Sequence, residues 1–291
     1  MDAKAHLTKA ITLNPDYSEA YYELGLLLKK DGDADESLVH FQKAVALKSD
    51  FAEAECELAI MLQLSKDLES SRNHFLNSLE INPNYANAYF HYGLLLIELD
   101  DIEEAKNNFD KVTEINQNYA PAYFHKANLL TSPDDFEEAK KNYETAIDID
   151  DSYVEAHYYL AKLFLGGIAT DKEGTIIDRT NLPEAKRHLN KIIKYDPDHP
   201  KALYNLAKIE FRNENFNQSK TNLNKAIKLH PKYWKAQFLL GKVFLKVGDT
   251  KNAEKNFQFS IQNQEKNPIS YFELGKIYFQ QGIFEKAKEF F

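Results

Sequence analysis

Apolar positions along the 291-residue chain keep one register instead of forming independent amphipathic segments. The stretches AYYELGLLL, AECELAIML, AYFHYGLLL, AYFHKANLL, AHYYLAKLF, ALYNLAKIE, AQFLLGKVF and SYFELGKIY each centre on a small residue. These residues are Gly25, Ala59, Gly93, Ala127, Ala161, Ala207, Gly241 and Gly275, and every interval but one equals that from Gly25 to Ala59. The exception, Ala161 to Ala207, is longer by a dozen positions, so an insertion interrupts one period. A second small column, Ser37, Ser71, Ala105, Ala139, Ala185, Ser219, Ala253 and Ala287, precedes by four a bulky one, Phe41, Phe75, Phe109, Tyr143, Leu189, Leu223, Phe257 and Phe291. Each period therefore predicts two helices of about 14 residues, joined by turn residues such as DGD or DD. Small residues recur where helices approach closely and large ones fill the space beside them. Neither helix shelters its apolar stripe alone, so neighbouring pairs must stack.

The resulting expectation is an all-α array over 1–291. It has a partial repeat over 1–17, full repeats over 18–51, 52–85, 86–119, 120–153, 154–199, 200–233 and 234–267, and a partial repeat over 268–291. The register resembles that of the tetratricopeptide-repeat family, whose pattern is matched by Tyr89, Tyr92, Gly93, Leu96, Ala105 and Phe109, with Pro83 as the closing proline. Glu210 departs from an aromatic column, and Ser49, Gln117, Asp151 and Glu265 replace the closing proline. The resemblance implies a right-handed superhelical solenoid of antiparallel helix pairs whose first helices line a concave groove.

The interruption, GGIATDKEGTIIDRTN (166–181), falls between the paired helices of one repeat, before Leu182-Pro183-Glu184, where a proline suits the first turn of a new helix. GTIID predicts a short strand-like flap. Two readings stand: a tolerated loop, or a lid that uses Ile176 and Ile177 to hold a partner. At the ends, residues 1–17 carry only second-helix landmarks, and Phe291 falls within another second helix. That pattern reads as a segment of a larger protein, or as ends that stack head to tail between molecules.

By family geometry, the residue after the first aromatic column faces the groove, together with those four and seven later. The first set is Tyr22, Cys56, Phe90, Phe124, Tyr158, Tyr204, Phe238 and Phe272. It reads either as a ladder for a peptide's apolar anchors or as packing against neighbouring helices. The set four later turns from Leu26, Ile60, Leu94 and Asn128 to Lys162, Lys208, Lys242 and Lys276. With Lys201, Arg212, Lys235 and Lys246 it makes the C-terminal groove both basic and aromatic, which suits an acidic peptide. The competing reading is a solvated face that keeps a long repeat soluble. The family's chaperone-tail clamp needs Lys and then Asn where this chain has Tyr22 and Leu26, so that mode is not expected. Nor does the column Glu23, Glu57, His91, His125, Tyr159, Asn205, Leu239, Glu273 form the asparagine ladder of the sugar-transferring relatives.

Composition sharpens this picture. Net charge is −9, yet Lys and Arg number 20 against 37 Asp and Glu over 1–199, and 16 against 8 over 200–291. The net charge argues against non-specific nucleic-acid binding, although the average hides an acidic body and a basic end. No apolar run is long enough for a membrane span, and MDAKAHLTKA is not a secretory signal. One cysteine, Cys56, rules out an internal disulfide and fits a reducing, cytoplasmic setting. DGDADE (31–36) has its glycine in the wrong place for a calcium loop and reads as a turn. His91 and His125 lack a third ligand and read as groove-lining polar residues, and Cys56 has no histidine in register. No catalytic, cofactor or metal site is expected. The expected function is a non-catalytic protein–protein interaction scaffold binding a protein or peptide. The alternatives are the recruiting segment of a larger enzyme and a head-to-tail assembly module.

Overall fold

A computed structural model of the chain describes residues 3–166, 168–170, 176–178, 180–264 and 267–291. Its contacts divide into two compact units, residues 1–131 and 132–291. In the first, α1 (Ala3–Leu13) precedes the pairs α2 (Ser18–Asp31) with α3 (Ala34–Leu47), α4 (Ala52–Leu64) with α5 (Leu68–Ile81), and α6 (Ala86–Glu98) with α7 (Ile102–Ile115), then α8 (Ala120–Leu129). In the second, α9 (Phe136–Ile149) precedes α10 (Val154–Leu165) with α11 (Leu182–Tyr195) and α12 (Pro200–Arg212) with α13 (Phe216–Leu229). The pairs α14 (Trp234–Lys246) with α15 (Thr250–Asn263) and α16 (Pro268–Gln280) with α17 (Phe284–Phe290) complete it. Within each unit the second helix of a pair also packs on the first helix of the next, which makes an all-α solenoid. No helix among the described residues is long and apolar enough to cross a membrane.

The register is set by knob and notch. A Cβ added to Gly241 would stand 2.6 Å from Phe257 Cε1, and one added to Gly93 2.9 Å from Phe109 Cε1. Where the small residue is Ala161 or Ala207, the bulky partner shrinks to Leu189 or Leu223, so volume is conserved across the joint. Phe41, Phe75, Phe109, Leu189, Leu223 and Phe257 are all fully buried. Where the second small column is serine, its hydroxyl ties the two helices together. Ser37 Oγ donates to Gly25 O at 2.8 Å, Ser71 Oγ to Ala59 O at 2.8 Å, and Ser219 Oγ to Ala207 O at 2.9 Å.

The helix pairs other than α10 with α11 are each joined through one left-handed residue. Gly32 and Gly248 occupy it at φ +88° and +81°, whereas Lys66, Asp100 and Glu214 adopt φ of 67°, 62° and 61° without glycine's freedom. Asp67, Asp101 and Asp249 follow and accept a backbone N–H of the next helix, which explains the acidic turns. Glu210, the departure from an aromatic column, is buried but accepts from Lys186 Nζ at 2.7 Å and Asn215 Nδ2 at 2.8 Å. Burial pushes its carboxyl up, and those two hydrogen bonds outweigh it, so the group stays below the ordinary value.

The division between units falls between α8 and α9, inside the repeat expected over 120–153. There α8 stops after ten residues, and Ser132 caps a single 3-10 turn over Pro133–Asp135. The insertion carries an antiparallel hairpin, β1 (Ile168–Thr170) with β2 (Ile176–Asp178), in which Ala169 faces Ile177. Asn181 N–H donates to Phe164 O at 3.0 Å and its side chain caps α11, closing the excursion at its base. The flap is thus a strand pair. The side chains of Ile176 and Ile177, on which a lid would depend, lie outside the described residues.

Candidate functional site

On the first helices of residues 132–291, an aromatic and a lysine four residues on share one helix face. Tyr158 and Lys162 lie on α10, Tyr204 and Lys208 on α12, Phe238 and Lys242 on α14, Phe272 and Lys276 on α16. The ammonium groups sit over rings: Lys208 Nζ is 5.9 Å from the Tyr204 centroid, Lys242 5.9 Å from Phe238 and 5.4 Å from Phe211, and Lys276 5.5 Å from Phe272. Lys162 lies instead 4.9 Å over Tyr159, and Lys235 5.5 Å over Trp234. Such contacts hold a cation over an aromatic face without neutralising it.

Neutralisation is what this face lacks. Among the described residues no carboxylate lies within 4 Å of Lys162, Lys201, Lys208, Arg212, Lys235, Lys242 or Lys246, while Lys276 pairs with Glu273 at 3.1 Å. Lys162, Lys208, Lys235, Tyr158, Tyr204 and Tyr233 line one cleft of about 310 Å³. Burial, then the charges of Arg212 and Lys235, hold the Lys208 ammonium below its ordinary pKa. Lys201 stands apart. With Tyr158 and His199 it borders a cleft of about 660 Å³ whose rim carries Asp150, Glu155 and Asp196. Arg212, Lys242 and Lys246 lie on the same helices but outside the smaller cleft, and Phe272 is exposed.

In residues 1–131 the expected groove residues are differently placed. Tyr22 is half-buried between Phe41, at 5.9 Å between centroids, and Phe51 at 4.9 Å. Burial and then Glu57, Glu53 and Glu23 push its phenol up to about 12. Phe90 and Phe124 are each only 8% exposed, which leaves little of either ring for a ligand. Phe90 is enclosed by Phe109, Tyr119, His91 and His125. Burial depresses both of those histidines, His91 to about 4, so they are neutral near pH 7. Cys56 is buried and its thiol pushed up, the reverse of a nucleophile's environment. No group of three or more His, Cys, Asp or Glu among the described residues is placed to hold a metal ion.

Two arrangements escaped sequence reasoning. A second aromatic column packs, tilted, against the first at a constant sequence offset: Phe51 on Tyr22, Tyr119 on Phe90 and Tyr233 on Tyr204, with His199 on Tyr158 across the insertion. That fixed offset was readable. The other is a buried histidine pair joining α10 to α11. Arg187 Nη2 donates to His188 Nε2 at 2.9 Å, His188 Nδ1 to His157 Nδ1 at 2.8 Å, and His157 Nε2 to Asp151 O at 3.0 Å. Each nitrogen has its partner only while both rings are neutral. Burial, followed for His188 by the Arg187 charge, keeps them so, with His188 lowered to about 4.

Comparison with known proteins agrees with this architecture. Family profiles described as "Tetratricopeptide repeat" match residues 6–38 and 74–107, 120–153, 177–238 and 238–291. A search of curated proteins returns no match. Among solved structures, one titled "Crystal structure of YrrB: a TPR protein with an unusual peptide-binding site" is similar at 22% identity and TM-score 0.51, covering 67% of this chain and 95% of that one. Two structures of MamA are similar at 18% identity, TM-score 0.51, covering 62% and 92%, and at 23% identity, TM-score 0.46, covering 54% and 85%.

Proposed function

The chain belongs to the tetratricopeptide-repeat family, and from that premise we propose that it is a non-catalytic scaffold whose first-helix face in residues 132–291 binds an acidic peptide segment. One observation carries the proposal. Cations are seated over rings on three successive first helices, from α10 to α14, with no carboxylate to neutralise Lys162, Lys208, Lys235 or Lys242 among the described residues. Carboxylates of a partner would supply the missing charge, and its apolar side chains would meet ring edges such as Phe238 and Phe272. A peptide as occupant is also supported by the fold shared with YrrB, described as having a peptide-binding site. Trp234, the single tryptophan, lies at the start of α14 beside Lys235 and reports on this face. Its fluorescence is titrated with a degenerate library of acidic, phenylalanine-containing peptides at low and at high NaCl. Saturable binding that weakens with salt and with Lys208→Ala plus Lys242→Ala is expected. Salt-insensitive binding, or binding indifferent to both substitutions, counts against it.

A further inference from the structure

The cleft of about 310 Å³ within this face has more donors than a carboxylate can use. We propose that it is a subsite for a dianionic phosphoryl group carried on the acidic segment, a phosphoserine or phosphothreonine; this rests on the acidic-segment reading. Three ammonium groups, those of Lys162, Lys208 and Lys235, line the cleft without a carboxylate among its lining residues, and Arg212 adds its field to Lys208. Three phenols, of Tyr158, Tyr204 and Tyr233, line it too. They sense one another electrostatically: after burial, Tyr158 raises the pKa of Tyr204, and Tyr204 and Tyr158 raise that of Tyr233. No hydrogen bond of the Tyr204 or Tyr233 hydroxyl to a protein group is found among the described residues, whereas Asn205 stands within hydrogen-bonding reach of Tyr158.

A carboxylate brings one charge and two oxygens, so it leaves most of this set unmatched. A phosphorylated side chain brings a charge of about −1.5 to −2 and three strong acceptor oxygens, which matches three ammonium groups with hydroxyls to spare. Nucleic acid is a poorer occupant. The Tyr204 and Tyr233 rings pack on each other at 5.1 Å between centroids but are tilted by 49°, so the pair offers no flat platform for successive bases.

The test uses Trp234 fluorescence on the whole chain with four probes: the acidic library with a fixed central phosphoserine, the same library with glutamate there, inorganic phosphate, and a single-stranded RNA. The phosphoserine library is expected to bind about tenfold tighter than the glutamate library. Lys208→Gln plus Lys235→Gln should remove that preference while the glutamate library still binds. Tyr204→Phe plus Tyr233→Phe, which keeps the rings and deletes the hydroxyls, should shrink it. Far-UV circular dichroism confirms that each variant is folded. Equal affinity for the two libraries overturns the phosphoryl subsite and leaves the acidic-segment reading standing. Failure of both libraries overturns both. Inorganic phosphate binding as tightly as the peptide assigns the cleft to the free ion and overturns its peptide source, and tighter binding of RNA overturns the proposal.

Discussion

Gly241→Ala with its compensating partner Phe257→Leu tests whether repeat register is a matter of volume. The added methyl would stand 2.6, 2.8 and 3.0 Å from three atoms of the Phe257 ring, where ordinary contacts begin at 3.4 Å. The ring must therefore retreat by roughly 0.5–1 Å in a joint where Phe257 is fully buried. Overpacking of this kind costs about 1–3 kcal/mol. Phe257→Leu alone leaves a partial cavity and costs about 1–2 kcal/mol. Together they recreate the pairing that the chain uses at Ala161 with Leu189 and Ala207 with Leu223. The double variant should then recover about 1–2 kcal/mol relative to the sum of the singles. Ala59 in register with Phe75 shows that one joint accepts both groups, which places the single-variant penalty toward the low end. Urea unfolding gives the cycle, and hydrogen exchange of α14 and α15 reads the local opening that global melting of a repeat protein blurs. Additivity within about 0.5 kcal/mol refutes the reasoning.

Three further outcomes are expected. Asp100→Gly and Glu214→Gly, which relieve left-handed residues at φ 62° and 61°, should each stabilise by about 1 kcal/mol in thermal unfolding; a lowered Tm contradicts this. His157 and His188 are held below their ordinary pKa in the folded chain, so the unfolded state binds more protons under acid. Their contribution is complete above pH 6.5 and lost as pH falls toward about 4, roughly 3 kcal/mol for His188. Urea midpoints measured from pH 7.5 to 4.5 should fall with a slope that His188→Leu flattens; an unchanged slope refutes the pair's role. Deleting residues 168–179 removes the hairpin, keeps the Asn181 cap and returns the period to that of the other repeats, so helicity should be unchanged. A loss of α10 or α11 protection in hydrogen exchange would show the hairpin to be structural.

The columns of small and bulky residues made the helix pairs legible, because steric fit at Gly25, Gly93 and Gly241 leaves few alternatives. The basic-aromatic face was legible for the same reason: a helical offset of four is a geometric statement. The early stop of α8 was harder to see. Helical periodicity continues past it, and the interruption comes from Ser132 capping a proline turn, a local contest that column matching ignores. The histidine pair was hidden by the insertion. Glu55 accepts from His74 at 2.5 Å across 19 residues, and His157 and His188 occupy the equivalent places 31 apart. Burial of Phe90 was invisible because Tyr119, at the end of its own repeat, and His125, from the next repeat, both close over its ring. Side-chain exposure within a column depends on those neighbours, which differ from one repeat to the next.

Lysine-reactivity footprinting tests the central claim most directly. Acetylation rates are measured across residues 132–291 with and without a bound acidic peptide. Protection of Lys162, Lys208, Lys235 and Lys242 on the first helices, with Lys228, Lys251 and Lys255 on α13 and α15 unchanged, is the expected result. Protection confined to the second-helix lysines, or equal reactivity throughout under saturating peptide, contradicts it.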